Sequence, residues 1–202
     1  MPMSLSEEIA ACAASLVVDE GLEYAAAKKR AARDLCTSGA SGTRARDLPS
    51  NEMLEDAVRE HIALFHADTQ PGELRALREL ARTWMQRLAE FRPHLGGAVW
   101  RGTATRLSSV HLDLYCDDTK AAEFALINAG VDYDSAAIER PGADPLVVLS
   151  FASTSKVLGE RVTVHLLVHD LDEQRGALKP DARGRSWRGA LPALEQLLDA
   201  GA

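Results

Sequence analysis

The chain has 202 residues, of which 46% are hydrophobic and 26% charged, as in an ordinary globular protein with one sizeable core. Its net charge of −7 does not favour a general attraction to nucleic acid, and its three scattered cysteines are typical of reduced thiols in the cytosol. Because no secretory signal opens the chain and no apolar run reaches the roughly 18 residues that span a bilayer, we expect a cytoplasmic protein that makes no membrane contact.

The first third of the sequence has the period of helices. Ser4 or Ser6 can cap a first helix, and a second helix, about 23–35, has cations on one side and alanines on the other. These two helices form a predicted N-terminal helical pair, residues 1–36. The run at 37–49 is small, polar and rich in helix breakers, and this composition predicts a linker.

Residues 50–202 are predicted to form an α+β domain that ends in a C-terminal helix. Apolar residues first repeat with the helical period, and beyond Gly97 the period changes to two, which is typical of strands. The predicted helices cover about 51–65, 69–92, 119–129 and 190–199. The predicted strands cover 98–101, 109–116, 146–152 and 161–169. A helical region followed by a small mixed sheet with one intervening helix is an α+β pattern.

The stretch 99–114 combines a small-residue turn, Gly102-Thr103, with an alternating strand that carries His111 and Asp113 on one face. Glycine lets a backbone approach phosphates closely, and a hydroxyl can donate to them. Carboxylates at positions i and i+2 of a strand can hold a magnesium ion that bridges those phosphates. The layout resembles the nucleotidyltransferase motif, a Gly-Ser turn followed by Asp-x-Asp, with His111 in place of the first carboxylate.

This resemblance implies a nucleotidyltransferase-like domain that binds a nucleotide or an RNA end. It places Gly102 and Thr103 at the triphosphate, and Asp113 with His111 at a Mg²⁺ or Mn²⁺ ion. The resemblance implies that the protein, if it is active, is a metal-dependent nucleotidyltransferase with Asp113 and His111 as its catalytic residues. One imidazole and one carboxylate are, however, a poor ligand set for magnesium, which prefers oxygen.

The third acid that this family commonly has on a later strand is also missing. The strand 161–169 has His165 near that position and no acid in its middle, so we expect catalysis to be reduced or lost. If the two strands are neighbours, His111, Asp113 and His165 could instead bind zinc, manganese or iron. A histidine with an aspartate could equally act as a general base with its orienting partner.

A second group of candidate residues lies in the segment 175–189, which holds five cations and a single acid. Its glycines allow close approach, and Trp187 offers a flat face to a base or a sugar. The segment is therefore a candidate site for phosphate or single-stranded nucleic acid. The predicted phosphate ligands are Arg183, Arg185 and Arg188. In the alternative interpretation, these cations pair with the acidic run at 170–173.

Most of the chain also resembles a family of short, uncharacterised bacterial proteins that are often labelled UDP-N-acetylmuramate–alanine ligase. The likeness rests on the run from Leu48-Pro49-Ser50-Asn51 through His94 and on the sequence Arg-Gly-Ala-Leu-Lys-Pro-Asp-Ala-Arg-Gly-Arg near the end. True ligases of that class are more than twice as long and contain a phosphate loop with a lysine, which this sequence lacks. We therefore do not expect ligase activity.

The leading hypothesis is a nucleotidyltransferase-like protein that binds a nucleotide or an RNA end. The alternative is a non-enzymatic cytoplasmic interaction or regulatory protein. In that alternative, the apolar faces of the helices within 1–36 dock a protein partner, and the sheet is only a scaffold.

Overall fold

The structure, a computed structural model, describes residues 3–37, 48–181 and 184–200. The chain divides into two compact units. We call Met1–Pro71 with Thr103–Leu107 the helical unit, and Gly72–Gly102 with Ser108–Ala202 the sheet unit. Across the described ranges, no helix is both long and apolar enough to cross a membrane.

The helical unit contains the helices α1 (Leu5–Glu20), α2 (Tyr24–Thr37) and α3 (Asn51–Phe65). Helix α1 begins with a capping box, because the Ser4 hydroxyl accepts from the Glu7 amide and the Glu7 carboxylate accepts from the Ser4 amide. The predicted helices are thus present. Of the predicted linker 37–49, residues 38–47 lie outside the described residues.

The apolar faces of all three helices meet in one core. Its fully buried members include Ile9, Ala13, Ala27, Ala31, Leu54 and Val58. Helix α3 therefore packs with α1 and α2, whereas the sequence division grouped it with the sheet. The apolar faces of α1 and α2, on which the docking hypothesis depends, are used to build this core.

The sheet unit is an α+β domain. Its elements are α4 (Gln70–Arg87, whose first two residues belong to the helical unit), a 3-10 helix (Ala89–Phe91), β1 (His94–Gly96), α5 (Gly97–Arg101), β2 (Val110–Tyr115), α6 (Thr119–Asn128), β3 (Asp134–Arg140), β4 (Ala143–Ser155), β5 (Glu160–His169), a second 3-10 helix (Leu171–Gln174), β6 (Gly189–Ala190) and α7 (Leu191–Ala200). The described strands form one mixed sheet in the order β3-β4-β5-β2-β1-β6. Strands β2 and β5 are parallel, and the other neighbours are antiparallel.

One face of this sheet is apolar and buried. Strands β2, β4 and β5 contribute Val110, Leu112, Leu114, Leu149, Phe151, Val164, Leu166 and Val168 to it. Helix α4 covers part of this face, because the Trp84 ring packs edge-on against Phe151 and its Nε1 donates to the Ser153 hydroxyl. The alternation predicted for β2 and β5 is confirmed, and it leaves the opposite face to polar side chains.

The predicted strand 98–101 is wrong, because these residues lie in the short helix α5. Arg78 stabilises the end of that helix, since its guanidinium donates to the carbonyl oxygens of Val99 and Trp100. The strand that enters the sheet before β2 is instead the three-residue β1. Strand β3, whose residues are nearly all exposed, was not predicted either.

Candidate functional site

Four of the six histidines lie on the second face of the sheet, which we call the polar face. Strand register places them there: His94 pairs with Asp113, His111 with His165, and Tyr115 with His169. Directly paired residues in neighbouring strands point to the same side of the sheet. The strands therefore collect several titratable side chains around Asp113.

Asp113 is the buried centre of the polar face. Its Oδ1 lies 2.7 Å from His169 Nε2, and its Oδ2 lies 3.2 Å from Arg188 Nη1. Its side chain is only 9% exposed. The same Arg188 nitrogen donates to the Tyr115 hydroxyl over 2.9 Å. Asp113 Oδ1 therefore accepts from His169, and Oδ2 is paired with the Arg188 guanidinium.

His169 is held between two carboxylates. Its Nδ1 lies 3.1 Å from Glu173 Oε2, on the side away from Asp113. Burial works to lower the pKa of His169, but the hydrogen bonds to Asp113 and Glu173 outweigh it and raise the pKa above its ordinary value. With both ring nitrogens engaged, this histidine is suited to carry a positive charge and has no nitrogen left to act as a general base.

Glu173 continues the same chain of contacts toward solvent. Its two oxygens accept from the Arg140 guanidinium over 2.8 and 3.0 Å. The hydrogen bonds from Arg140 and then from His169 lower the pKa of Glu173 to about 2. Arg140, Glu173, His169, Asp113 and Arg188 therefore form one line of alternating charge.

Tyr115 is packed between two imidazole rings. It stacks on His169 at 5.3 Å between ring centroids and meets His94 edge-on at 5.2 Å. Burial and then the Asp113 carboxylate raise the pKa of the Tyr115 phenol. Burial lowers the pKa of His94, whose Nδ1 donates to the Arg92 carbonyl. The packed rings of His94, Tyr115 and His169 therefore form one aromatic surface at the site.

His111 and His165 form a separate pair. Their ring centroids lie 4.9 Å apart, and His165 Nδ1 lies 2.8 Å from the Ser150 hydroxyl oxygen. Strands β2 and β5 are neighbours, which was the condition for a metal site at His111, Asp113 and His165. Within the described residues, however, His111, Asp113 and His165 do not bring three ligand atoms within 4.8 Å of one another. The structure instead joins Asp113 to His169.

The predicted phosphate turn, Gly102-Thr103, begins where helix α5 ends. Gly102 ends helix α5 with φ +82° and has Arg78 beside it, and Thr103 is buried. The glycines that adjoin the polar face are Gly96 and Gly97. A Cβ on Gly96 would lie 3.4 Å from Asp113 Oδ2, and one on Gly97 would lie 3.4 Å from His111 Nδ1.

The three predicted arginines have different positions. Arg183 lies outside the described residues. Arg185 pairs with Asp181, whose carboxylate accepts from its Nε over 3.4 Å and from its amide over 2.9 Å. Arg188 reaches Asp113 and Tyr115. In the acidic run at 170–173, Glu173 pairs with Arg140 of β3.

Beside Asp113 lies a pocket of about 480 Å³, which we call the basic pocket. Its lining includes Tyr115, His169, Glu173, Arg175, Lys179, Trp187 and Arg188. A second pocket of about 750 Å³ shares Arg175 and Lys179 with it. The lining of the basic pocket contains three Lys or Arg side chains and His169. It contains one carboxylate, Glu173, which already accepts from Arg140 and contacts His169. The lining therefore favours an anion.

The magnesium ion that the nucleotidyltransferase resemblance implies does not fit these residues. Magnesium needs several oxygen ligands, and carboxylates supply them best in proteins. The carboxylate of Asp113 is taken by His169 and Arg188, and its neighbour on the strand is the imidazole of His111. The arrangement is suited to hold phosphate or carboxylate groups by charged hydrogen bonds and not by a metal clamp.

Sequence reasoning missed several members of this site. His169, Glu173, Arg140 and Tyr115 were not predicted, although Tyr115 follows Asp113 at the same two-residue spacing. A carboxylate four residues after His169 was the one local signal for the His169–Glu173 contact. The contact of His169 with Asp113 spans 56 positions and depends on strand register.

Comparisons with known proteins add little to this geometry. No protein family and no curated protein matches the chain. Two crystal structures of the Cid1 poly(U) polymerase are similar to it, one bound to MgGTP and the other a point mutant bound to MgATP. Both have a TM-score of 0.34, with 14% and 20% identity, and cover 50% of this chain. The match spans 33% of the polymerase chain.

Proposed function

We propose that this protein binds a nucleotide or an RNA end in the basic pocket, and that its metal-dependent nucleotidyl transfer is reduced or lost. The observation that carries the proposal is the position of Arg188. Its guanidinium contacts Asp113 and Tyr115, and Arg188 also lines the pocket. Asp113, the residue expected to hold a metal, therefore positions Arg188 to bind a phosphate.

The lining of the pocket suits both halves of a nucleotide. Arg175, Lys179 and Arg188 supply charged donors for phosphate oxygens. Tyr115 and Trp187 supply aromatic surface on which a base can stack. Its volume of about 480 Å³ lies within the roughly 300–1,000 Å³ that is usual for small-molecule sites.

The nucleotidyltransferase-like character of the proposal is supported by the order of local features. The glycine pair Gly96-Gly97 lies at the end of the short strand β1. Strand β1 pairs with β2, which carries His111 and Asp113 on the polar face. Mg²⁺ or Mn²⁺ would in this account arrive with the triphosphate, because the described residues on the polar face around Asp113 include no second carboxylate that faces it at the two-residue spacing, where His111 stands. Binding is then independent of a metal held by the protein.

Thermal unfolding with each of the four nucleoside triphosphates, in EDTA and in Mg²⁺, tests this proposal. A ligand that binds the folded state raises the free energy of unfolding by about 2.7 kcal/mol at 100 times its Kd. We expect at least one triphosphate to raise the Tm in EDTA. The absence of a shift with all four would refute nucleotide binding.

Two variants locate the site. The double variant Arg175→Ala/Lys179→Ala removes two exposed cations of the pocket, and we expect it to weaken triphosphate binding at least about tenfold. Lys156→Ala/Arg161→Ala is the matched control, because both are exposed cations near the opposite end of the strand that carries His169. Equal weakening by both changes would indicate a nonspecific charge effect.

The docking hypothesis now has less support. The apolar side chains of α1 and α2 that were expected to meet a partner, such as Ile9, Val17 and Ala31, are buried within the helical unit. A partner would have to use other side chains of this segment.

A further inference from the structure

Two histidines and an aspartate converge in the helical unit. Asp19 lies in the last turn of α1, His61 lies in the last turns of α3, and His66 follows the end of α3. Asp19 Oδ2 lies 3.1 Å from His61 Nε2, and Asp19 Oδ1 lies 2.9 Å from His66 Nε2. Their three ligand atoms all lie within 4.8 Å of one another.

We propose that Asp19, His61 and His66 bind a divalent transition-metal ion, with Zn²⁺ as the best match. Imidazole nitrogen and carboxylate oxygen are common zinc ligands, whereas magnesium and calcium prefer all-oxygen sites. Among the described residues, this is the one group of three such side chains whose ligand atoms are so close together.

The ligand atoms have to move to bind one ion. Tetrahedral zinc with bonds of about 2.0–2.1 Å places its ligand atoms roughly 3.3–3.4 Å apart. The separations of 3.1 and 2.9 Å join His61 and His66 to different oxygens of Asp19, so the two Nε2 atoms, which lie within 4.8 Å of each other, have to close around one of these oxygens. Each neutral imidazole would offer the lone pair of Nε2 and carry its proton on Nδ1.

The ligands are mounted on packed helices. Val58 and Ile62 of α3 are buried against α1, and the His66 amide donates to the Ile62 carbonyl over 2.8 Å. The His61 ring also packs on Phe65, with 4.7 Å between centroids. An ion bound here would link the end of α1 to the end of α3 and stabilise the helical unit.

The site is open on one side. The side chains of Asp19, His61 and His66 are 45%, 17% and 31% exposed, so an ion can enter without unfolding. Three protein ligands leave a fourth tetrahedral position for a water molecule. In the absence of metal, the same contacts would serve as two hydrogen bonds to one carboxylate.

Isothermal titration of the metal-free full chain with Zn²⁺ tests the proposal. We expect saturable binding of one ion, and a Co²⁺ complex with the visible absorption of a tetrahedral N/O site. Loss of a residue that only hydrogen-bonds to a metal ligand weakens metal binding by roughly 10- to 100-fold. Because His61 and Asp19 are themselves proposed ligands, His61→Gln and Asp19→Asn should each weaken zinc binding by more than this. Asp68→Asn provides the control, since this exposed aspartate lies two positions after His66 and outside the cluster, and its loss should leave the affinity unchanged.

Several results would overturn the assignment. No saturable zinc binding by the wild-type chain would refute it outright, as would equal zinc affinity in Asp19→Asn and the wild type. Loss of binding in His111→Gln would move the metal to the polar face. The Co²⁺ spectrum of the wild-type chain reports the ligand set even if one of the variants fails to fold. Because this cluster shares no residue with the basic pocket, nucleotide binding can succeed or fail independently.

Discussion

Asp113 contacts His169 and Arg188 inside the sheet unit, and Asp113→Asn measures how much these contacts stabilise the fold. The carboxylate oxygens lie 2.7 Å from His169 Nε2 and 3.2 Å from Arg188 Nη1. Asparagine keeps one acceptor oxygen but turns an amide NH₂ toward the second donor. One of the two contacts, the hydrogen bond to His169 or the ion pair with Arg188, is then lost, and the other loses its anionic partner.

Each hydrogen bond to a charged group contributes roughly 1.5–3 kcal/mol, and breaking a buried ion pair costs roughly 3–5 kcal/mol. Arg188 remains partly exposed, at 29% of its side chain, so the lower part of this range applies. We therefore expect Asp113→Asn to lower the free energy of unfolding by about 3 kcal/mol. At roughly 2–4 °C per kcal/mol, the Tm should fall by roughly 6–12 °C.

Urea and thermal unfolding in EDTA at pH 7, followed by circular dichroism, provide the assay. Asp117→Asn is the matched control, because this exposed aspartate lies just beyond the same strand and its loss should change stability by less than about 0.5 kcal/mol. A carboxylate kept for metal chemistry usually costs stability in the metal-free protein. A neutral or stabilising effect of Asp113→Asn would therefore refute our account of this residue.

Four further substitutions test the contacts of Glu173 and His169, the packing of Gly189 and the helix cap Ser50. The folded-state pKa of Glu173 is about 2 against 4.5 for the free side chain, so its contribution exists above pH 4.5 and is lost as pH falls toward 2. After allowance for solvent screening, Glu173→Gln should cost about 1 kcal/mol at pH 7 and less at pH 3.5 in urea unfolding. The pKa of His169 is raised, so its contribution is complete below pH 6.5 and is lost as pH rises through the folded value; His169→Gln should cost more at pH 6 than at pH 9. Gly189→Ala should cost about 1–3 kcal/mol, because its Cβ would lie 2.1 Å from the Trp100 ring, and an unchanged Tm would contradict that packing. Ser50→Ala should cost about 1 kcal/mol in thermal unfolding, because the hydroxyl caps α3.

The helices and the fold class could be read from the sequence because they depend on local period. The apolar repeat of Leu54, Val58 and Ile62 predicted α3, and the alternation of Val110, Leu112 and Leu114 predicted β2. Both signals arise within one element and need no knowledge of its neighbours.

Secondary-structure elements that form because of tertiary contacts could not be predicted from local sequence period. Residues 98–101 look like a short apolar strand, yet the guanidinium of Arg78 binds the carbonyl oxygens of Val99 and Trp100 and favours a helix. Strand β3 has little apolar character because it lies at the edge of the sheet, where its pairing with β4 forms it.

The candidate site was predicted in part for the same reason. Asp113, His111 and Arg188 could be selected by residue type, and the first two share a face because of strand alternation. Their actual partners could not be selected, because the parallel register of β2 and β5 brings Tyr115 next to His169 and the Asp113 carboxylate within reach of it. Sequence spacing carries no information on that register.

We propose that basic side chains of the pocket, and not a metal held by carboxylates, hold a nucleotide. Isothermal titration of the triphosphate that gives the largest thermal shift, into the wild-type chain in EDTA and then in Mg²⁺, measures this directly. We predict saturable binding in EDTA, a Kd that Mg²⁺ does not tighten more than about tenfold, and no nucleotide incorporation into an RNA primer. Binding that requires Mg²⁺ and disappears in Asp113→Asn would contradict the account.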